Sequence, residues 1–436
     1  MNRPLFVCII GGGLAGCEAA WQLARKGIEV ELNEMKPHRY SQAHRSERLA
    51  ELVCSNSLRS NSLDSAVGLL KEEMRLMGSL VMEAADATAV PAGRALAVDR
   101  MRFSMYIEEK LESLPSLRIV RKEMTDIPEA PPVIIASGPL TSDALAESIA
   151  ARTGKKHLYF YDAISPIIEG DSINYDKTFR ASRYDEGEGD YLNFPLDEGQ
   201  YNRLWKALLE GEQVKSHAFE TMRYFEGCLP IEIIAARGLQ TLAFGPMKPV
   251  GLIDPRTGRQ PCAVVQLRRE DLEGHFYNMV GFQTKLTWPE QRRIFRMIPG
   301  LERAEFTRYG SIHRNTFIDA PELLLVTLQL KLDRRIFFSG QLSGVEGYVE
   351  SAAMGLISGV NIFSQHAGRS LSPPPATTAL GSLLRAITKP SNNFQPISAN
   401  FSLFPPLTKK VRRAERGSHY AQRSLKDLQQ WLKEKE

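Results

Sequence analysis

The first 34 residues carry the clearest pattern of hydrophobic and polar positions in the chain. Residues 5–10 form an apolar run rich in Val and Ile, which predicts a buried strand. Residues 17–26 place alanine and leucine on one face at helical spacing and are followed by Gly27, which predicts a helix with a glycine C-cap. Residues 28–32 predict a second strand, so the order is strand, helix, strand.

Three glycines join the first predicted strand to the helix in the spacing G-x-G-x-x-G. Gly11 permits a tight turn, Gly13 lets the backbone approach a pyrophosphate, and Gly16 lets the helix pack closely on the strand. The helix N-terminus attracts phosphates, and Glu34, just after the second strand, can accept a hydrogen bond from a ribose hydroxyl. With every element in place the pattern predicts a dinucleotide site, and the alternative is a glycine-rich turn that binds nothing.

Two later segments repeat the succession of strand and glycine turn. One covers residues 133–139, and the other begins at residue 336 and leads into a helix of small residues over 350–359. A late strand, glycine and helix N-terminus suit a discontinuous flavin domain, and no second fingerprint indicates a separate nicotinamide domain. FAD is therefore favoured over NAD. The further candidate cofactor-binding residues are Gly138, Gly340, Gln341, Gly344 and Tyr348.

These patterns predict an α/β protein with a Rossmann-like, glutathione-reductase-like FAD-binding domain and an inserted α+β domain. The expected boundaries are 1–155 for the first part of the FAD domain, 156–330 for the insertion, and 331–436 for the returning part. The middle segment is richer in aromatic residues and turns, which favours a separate core. Residues 424–432 place three leucines on one stripe and predict a final helix that docks on the body.

Composition places the chain among ordinary globular proteins. Of its 436 residues 43% are hydrophobic and 24% charged, and no apolar run approaches the roughly 18 residues of a membrane helix. We therefore expect a cytoplasmic protein.

The net charge is +4, but residues 409–436 hold nine basic and four acidic side chains, so the basic excess lies in the tail. Such a tail can bind RNA phosphates, although a solvated charged tail is the more common case.

Five cysteines without a C-x-x-C spacing argue against a disulfide framework or a zinc ribbon. Cys8, Cys17 and Cys262 lie in apolar strand or helix contexts and are expected to be small buried hydrophobes. Cys54 lies in a long polar stretch, which in a compact domain usually has a binding role. Cys228 precedes Pro230 at a predicted helix start, where a thiol pKa is lowered. The residues alone leave packing and chemistry equally open for Cys54 and Cys228.

Further strings along the chain carry a specific resemblance. Together with the glycine turn, the chain resembles the folate- and FAD-dependent tRNA (uracil-5-)-methyltransferases of bacteria nearly from end to end. The strings are residues 51–58, 68–75, 95–100, 138–142, 225–232, 245–252, 280–284, 313–316 and 344–348.

The resemblance implies that both Cys54 and Cys228 are catalytic, with Cys228 adding to carbon 6 of uracil and Cys54 removing the proton of carbon 5. It implies methylenetetrahydrofolate as carbon donor, FAD as reductant, NADH or NADPH as the source of electrons, and position 54 in the T-loop of tRNA as target. Tyr348 and Phe282 are candidates for stacking on folate or base, and core packing is the equally open alternative. No metal and no obligatory protein partner is implied.

Alternatives remain at this point. Arg94 stands where the family commonly has glycine, so a ribosomal RNA uridine is an alternative target. A flavin oxidoreductase and an RNA-binding flavoprotein without turnover are the alternatives from other classes. Two cysteines 174 positions apart argue against a dithiol centre, and the presence of both argues for turnover.

Overall fold

The computed structural model describes residues 6–155, 158–183, 189–214 and 229–435. Its strands are β1 (Phe6–Ile10), β2 (Glu29–Glu34), β3 (Ser57–Ser60), β4 (Ala89–Val90), β5 (Ala95–Val98), β6 (Leu117–Arg121), β7 (Val133–Ile135), β8 (Leu158–Ile164), β9 (Ile167–Glu169), β10 (Phe179–Ala181), β11 (Tyr191–Leu196), β12 (Ala263–Arg269), β13 (Phe276–Met279), β14 (Phe306–Arg308), β15 (Ser311–Phe317) and β16 (Ile336–Phe338). Its α-helices are α1 (Leu14–Ala24), α2 (Ala66–Leu76), α3 (Leu80–Ala87), α4 (Arg100–Glu112), α5 (Asp143–Thr153), α6 (Glu198–Glu210), α7 (Ile231–Ala235), α8 (Thr241–Phe244), α9 (Trp288–Phe295), α10 (Ala320–Leu323), α11 (Tyr348–His366), α12 (Ala379–Thr388) and α13 (Arg416–Lys433).

A five-stranded parallel sheet joins the two ends of the chain. Its order is β16-β7-β1-β2-β6, so β16 from the C-terminal part pairs with β7, which pairs with β1. All the β1 residues after Phe6 are buried, because helices cover the sheet. This doubly covered parallel sheet confirms the predicted α/β fold class.

Helices α1 and α11 pack against each other at very short range, which explains the small residues of α11. A Cβ atom on Gly355 would lie 2.1 Å from the carbonyl oxygen of Ala15, and one on Gly359 would lie 3.0 Å from that of Ala19. The helix predicted over 350–359 is therefore real but longer, and its N-terminus reaches the same sheet edge as the N-terminus of α1.

The middle of the chain forms a second sheet and a second apolar core. Six strands pair antiparallel in the order β10-β11-β12-β13-β9-β14, and helices α6 and α9 pack on them. Strands β8 and β15 form a separate antiparallel pair where the middle segment leaves and rejoins the rest, and their Phe160 and Phe317 belong to the first core. The domain boundaries at 155 and 330 stay predictions.

The last helix extends further than the sequence indicated. Helix α13 buries Leu428 and Trp431 on the first core, and its Ser424 hydroxyl donates to the buried carboxylate of Glu73 on α2. The predicted docking of the tail on the body is correct, with Lys409 and Lys410 exposed.

Within the described ranges, no helix combines the length and apolarity that a membrane crossing requires.

One of the cysteine predictions is wrong. Cys8 and Cys17 are buried as expected, but Cys262 is exposed. It lies one residue before β12, whose first six residues are all buried, and is beside Asp197 and Glu198 at the end of the sheet, so it falls outside the buried span. Apolar neighbours in sequence indicated the strand but not where it starts.

Candidate functional site

A cleft lies across the carboxyl edge of the parallel sheet, where the ends of β1, β2, β7 and β16 meet. This is the position at which open α/β sheets bind their ligands. The cleft is partly open to solvent. The sequence-predicted residues that line it are Gly11, Gly13, Glu34, Gly138, Gly340, Gln341 and Tyr348.

The glycine turn has the geometry that a dinucleotide pyrophosphate needs. Gly11 has φ +107°, a conformation that favours glycine, and a Cβ on Gly16 would lie 1.8 Å from the Gly11 carbonyl oxygen. Gly13 is the N-cap of α1, and a Cβ atom added there would have no other atom within 4 Å. The turn therefore leaves room for a ligand at Gly13 and uses Gly16 only for close packing.

Glu34 stabilises the turn from the adjacent strand. Its carboxylate accepts hydrogen bonds from the backbone N–H groups of Gly12 (2.8 Å) and Lys36 (3.0 Å). It also lines the cleft. A contact to a ribose hydroxyl stays a prediction, while its part in fixing the turn was not foreseen.

Gly344 and Phe282 lie away from the cleft lining. A Cβ on Gly344 would lie 2.4 Å from the ring of Phe394, so this glycine serves close packing after the turn at Gly340. Phe282 is fully buried in the second core, where its ring meets that of Phe295 edge-on with centroids 5.7 Å apart. For Phe282 the structure supports core packing rather than stacking on a ligand. Arg94 is 61% exposed at its side chain and pairs with Asp64, also away from the lining.

Hydrogen bonds to Tyr348 link the loop of Cys54 to the cleft. The hydroxyl of Tyr348 accepts hydrogen bonds from the backbone N–H groups of Cys54 (2.7 Å) and Ser55 (3.3 Å), and its side chain lines the cleft. The Cys54 thiol is partly buried and faces the carbonyl oxygen of Ala163, 3.8 Å away. The N-terminal residue of α11 thus connects the dinucleotide cleft to a cysteine.

A buried polar network fixes the loop around Cys54. Arg268 donates to the Asn56 side-chain oxygen (2.9 Å) and to the Ser55 hydroxyl (2.7 Å). Arg100 donates to the carbonyl oxygens of Leu52 and Cys54 and forms an ion pair with Glu270. Arg268 lies on β12 of the middle sheet, and Arg100 begins α4, which packs on the first core. The loop is therefore held from both parts of the molecule at once.

Charges around the thiol act in opposite directions on its pKa. Burial raises the pKa of Cys54 most, and the carboxylate of Asp162 raises it further. The guanidinium groups of Arg100 and Arg308 lower it, so both stabilise the thiolate. Burial and the charge of Arg308 also hold the pKa of His313 down at about 4, which keeps that imidazole neutral.

The sequence did not single out Arg308 and Asp162. Asp162 was visible only inside an aromatic run, and no motif contains Arg308. Their proximity to Cys54 arises from the pairing of β8 with β15 and of β14 with β9, which bring residues more than 100 positions apart together. Cys228 lies outside the described residues, and α7 begins three positions after it at Ile231, so a helix does start here as predicted, with Pro230 at its N-cap.

Comparison with known proteins gives consistent results. Residues 6–370 match the family described as Glucose inhibited division protein A. A methylenetetrahydrofolate–tRNA-(uracil-5-)-methyltransferase TrmFO of Syntrophus aciditrophicus is 62% identical over the whole chain and 99% of its own length. Proteins of the same name are 59% identical in Citrifermentans bemidjiense and 60% in Geobacter sulfurreducens, each alignment covering 98% of this chain and 99% and 98% of the relative.

Among solved structures, GidA of Aquifex aeolicus has the same fold. Its TM-score is 0.69 at 17% identity, over 98% of this chain and 76% of that chain. The chain therefore belongs to the Glucose inhibited division protein A family and, within it, to the methylenetetrahydrofolate–tRNA-(uracil-5-)-methyltransferases.

Proposed function

We propose that the chain methylates carbon 5 of the T-loop uridine of tRNA, position 54, with methylenetetrahydrofolate as carbon donor and FAD as reductant. Sequence identity to the named relatives supports the reaction and its substrates. The structural observation that carries the proposal is Tyr348, which lines the dinucleotide cleft and holds Cys54 by its backbone. Since the three relatives all carry the tRNA name, the ribosomal RNA and oxidoreductase alternatives are not favoured.

The cleft fits FAD. The open space at Gly13 and the N-terminus of α1 suit the pyrophosphate, and Glu34, which lines the cleft, is the candidate acceptor for a ribose hydroxyl. Gly138 also has open space where a Cβ would lie, and Gly340 and Gln341 close the other side of the cleft. When bound there, FAD reduced by NADH or NADPH supplies the electrons that convert a methylene to a methyl group.

The two cysteines have different tasks in this reaction. Carbon 5 of uracil is a weak nucleophile, and addition of the Cys228 thiolate to carbon 6 makes it reactive. After carbon 5 has bonded to the one-carbon unit, Cys54 takes the proton of carbon 5. Loss of that proton breaks the bond between the one-carbon unit and the folate nitrogen, which takes up a proton, and leaves a methylene on carbon 5. A hydride converts this methylene to a methyl group, and the electron pair returns to re-form the double bond between carbons 5 and 6, which expels Cys228 as its thiolate. Arg100 and Arg308 assist Cys54 because both stabilise its thiolate.

A tRNA T-arm with 5-fluorouridine at the target position tests these roles, because the fluorine cannot leave as the proton does. We expect a covalent protein–RNA adduct with the wild-type enzyme and with Cys54→Ala, and none with Cys228→Ala. The exposed Cys262 provides the matched control, and Cys262→Ala should form the adduct like wild type. An adduct that persists in Cys228→Ala and disappears in Cys54→Ala would reverse the two roles.

A further inference from the structure

An aromatic ladder runs from the second core to the protein surface. Phe282 meets Phe295 edge-on, and Phe295 meets Phe306 at 6.3 Å between centroids. Phe306 stacks on Tyr309 at 5.3 Å with 22° between the planes. Trp288 stacks on Tyr309 at 5.4 Å and 16°. The outer rings are therefore nearly parallel, and buried rings support them from below.

The outermost ring is unusually open to solvent for a tryptophan. Trp288 is 60% exposed, whereas large aromatic residues normally bury most of their surface. Arg292, one turn further along α9, donates a hydrogen bond from Nε to the Tyr309 hydroxyl at 3.1 Å and is exposed. The stack is thus held in place from the side, and a flat face with an adjoining cation remains at the surface.

The surroundings of the stack carry an excess of positive charge. Residues 285–309 contain six basic and three acidic side chains. Arg293 and Arg296 pair with Glu290 and Glu305. In the described part of the chain no carboxylate pairs with Arg292 or with Arg303, so these two charges are not neutralised by an ion pair. A partner with negative charge and flat rings is complementary to this surface.

The stack begins at the residue that follows Arg308 of the candidate site. Arg308, whose charge acts on the Cys54 thiol, immediately precedes Tyr309, and its Nη2 donates to the Ala43 carbonyl oxygen at 3.1 Å. Strand β14 ends at Arg308 with a register shift after Phe306, so Tyr309 follows the strand end and its ring stacks on that of Phe306. A strand of RNA that delivers one base to Cys54 would bring a neighbouring nucleotide close to Tyr309.

We propose that Trp288, supported by Tyr309, forms a stacking surface for an unpaired base of the RNA, next to the uridine that reacts. This inference rests on the proposed function and deepens it. Bases stack on exposed aromatic rings whatever their identity, and arginines beside the ring bind the phosphates. Delivery of a base into an enclosed site requires its removal from the stack, and a surface that receives the neighbouring base stabilises that state.

Binding of an undermodified tRNA transcript to the FAD-loaded enzyme tests the proposal. We expect Trp288→Ala to raise the Kd by about tenfold, a typical loss for one base–aromatic stack, and Trp288→Phe to raise it much less. Leu332→Ala is the matched control, since Leu332 is also exposed (75%) but lies in the returning part of the chain. FAD content and circular dichroism should stay at the wild-type level in all three variants.

Intrinsic fluorescence adds a direct readout, because Trp288 is the most exposed of the four tryptophans. Binding of tRNA should quench the wild-type emission, and Trp288→Phe should lose most of that quenching while it still binds. Unchanged tRNA affinity in Trp288→Ala would overturn the inference. So would a wild-type dimer that Trp288→Ala converts to a monomer, because the stack would then be an interface between two copies. Absence of methyl transfer by the wild-type enzyme would instead overturn the proposed function.

Discussion

The hydroxyl of Tyr348 is the single atom on which the geometry of Cys54 depends most directly. It accepts hydrogen bonds from the backbone N–H groups of Cys54 and Ser55, and within the described ranges neither group donates to another acceptor. Loss of the oxygen would leave two partly buried donors without a partner, and each such loss costs about 1–3 kcal/mol. The ring would remain in the cleft lining.

Tyr348→Phe should therefore lower the rate of methyl transfer by about tenfold or more while FAD content stays near wild type. A single-turnover assay with preloaded FAD measures this directly. Tyr106→Phe is the control, because the Tyr106 hydroxyl donates to the exposed carboxylate of Glu83 at 2.7 Å, away from the cleft. Equal rates for Tyr348→Phe and wild type would show that the hydroxyl does not position Cys54.

At the scale of the element, two glycines of the turn have different roles: Gly13 leaves room for the ligand, and Gly16 allows close packing. A valine at position 13 would project into the open space at the helix N-terminus, where the pyrophosphate is expected. An alanine at position 16 would press its Cβ against the Gly11 carbonyl oxygen at 1.8 Å. Gly13→Val should therefore fold and lose FAD, whereas Gly16→Ala should lose about 1–3 kcal/mol of stability by overpacking.

Flavin absorbance of the purified proteins and urea unfolding distinguish the two effects. A Gly13→Val protein with full FAD content would contradict the placement of the cofactor, and a Gly16→Ala protein as stable as wild type would contradict the packing. The sequence was informative here because the turn is local: strand, glycines, helix and acid lie within residues 5–34.

Helices α12 and α13 are tied to α2 by one buried carboxylate. Glu73 accepts from the backbone N–H groups of Ala379 (2.6 Å) and Leu380 (2.9 Å) at the start of α12, and from the Ser424 hydroxyl of α13. Burial raises its pKa from 4.5 to about 7, against the effect of these hydrogen bonds. A pKa that is higher in the folded state contributes stability below pH 4.5, and this is lost as the pH rises through 7.

As the pH rises from 5 to 8, the free energy of unfolding should fall in the wild-type protein. The fall should exceed that of Glu73→Gln by about 1–3 kcal/mol. The amide has no titration in this range, so Glu73→Gln should have the flatter profile even if it is less stable throughout. Urea unfolding at several pH values gives both curves. Parallel curves would mean that the pKa of Glu73 is the same in the folded and the unfolded protein.

At the scale of the whole molecule, the candidate site is made of segments that the sequence does not bring together. Cys54 and Tyr348 are 294 positions apart, and Arg268 reaches Ser55 across 213. Local spacing predicts elements, whereas these contacts arise from the packing of helix α11 and the middle sheet against one loop, so no local pattern indicates them. The resemblance named both cysteines and Tyr348, but not Arg308, Arg268 or their part in fixing the loop.

The wrong and the confirmed predictions follow the same rule. The fold class, the buried Cys8 and Cys17 and the docked last helix depend on periodicity within one element, and all are confirmed. Cys262 depends on where a strand starts relative to its neighbours, which periodicity does not define. The exposed position of Trp288 likewise depends on tertiary packing, since Trp is usually assigned to the core.

The most direct test of the proposed function is transfer of labelled carbon from methylenetetrahydrofolate to an undermodified tRNA transcript. The FAD-loaded enzyme, supplied with NADH or NADPH, should place the label in 5-methyluridine at position 54 of the T-loop. Cys54→Ala should place none there while it still contains FAD. Absence of label in tRNA with the wild-type enzyme, or undiminished labelling with Cys54→Ala, would contradict the proposed reaction or the role of its cysteine.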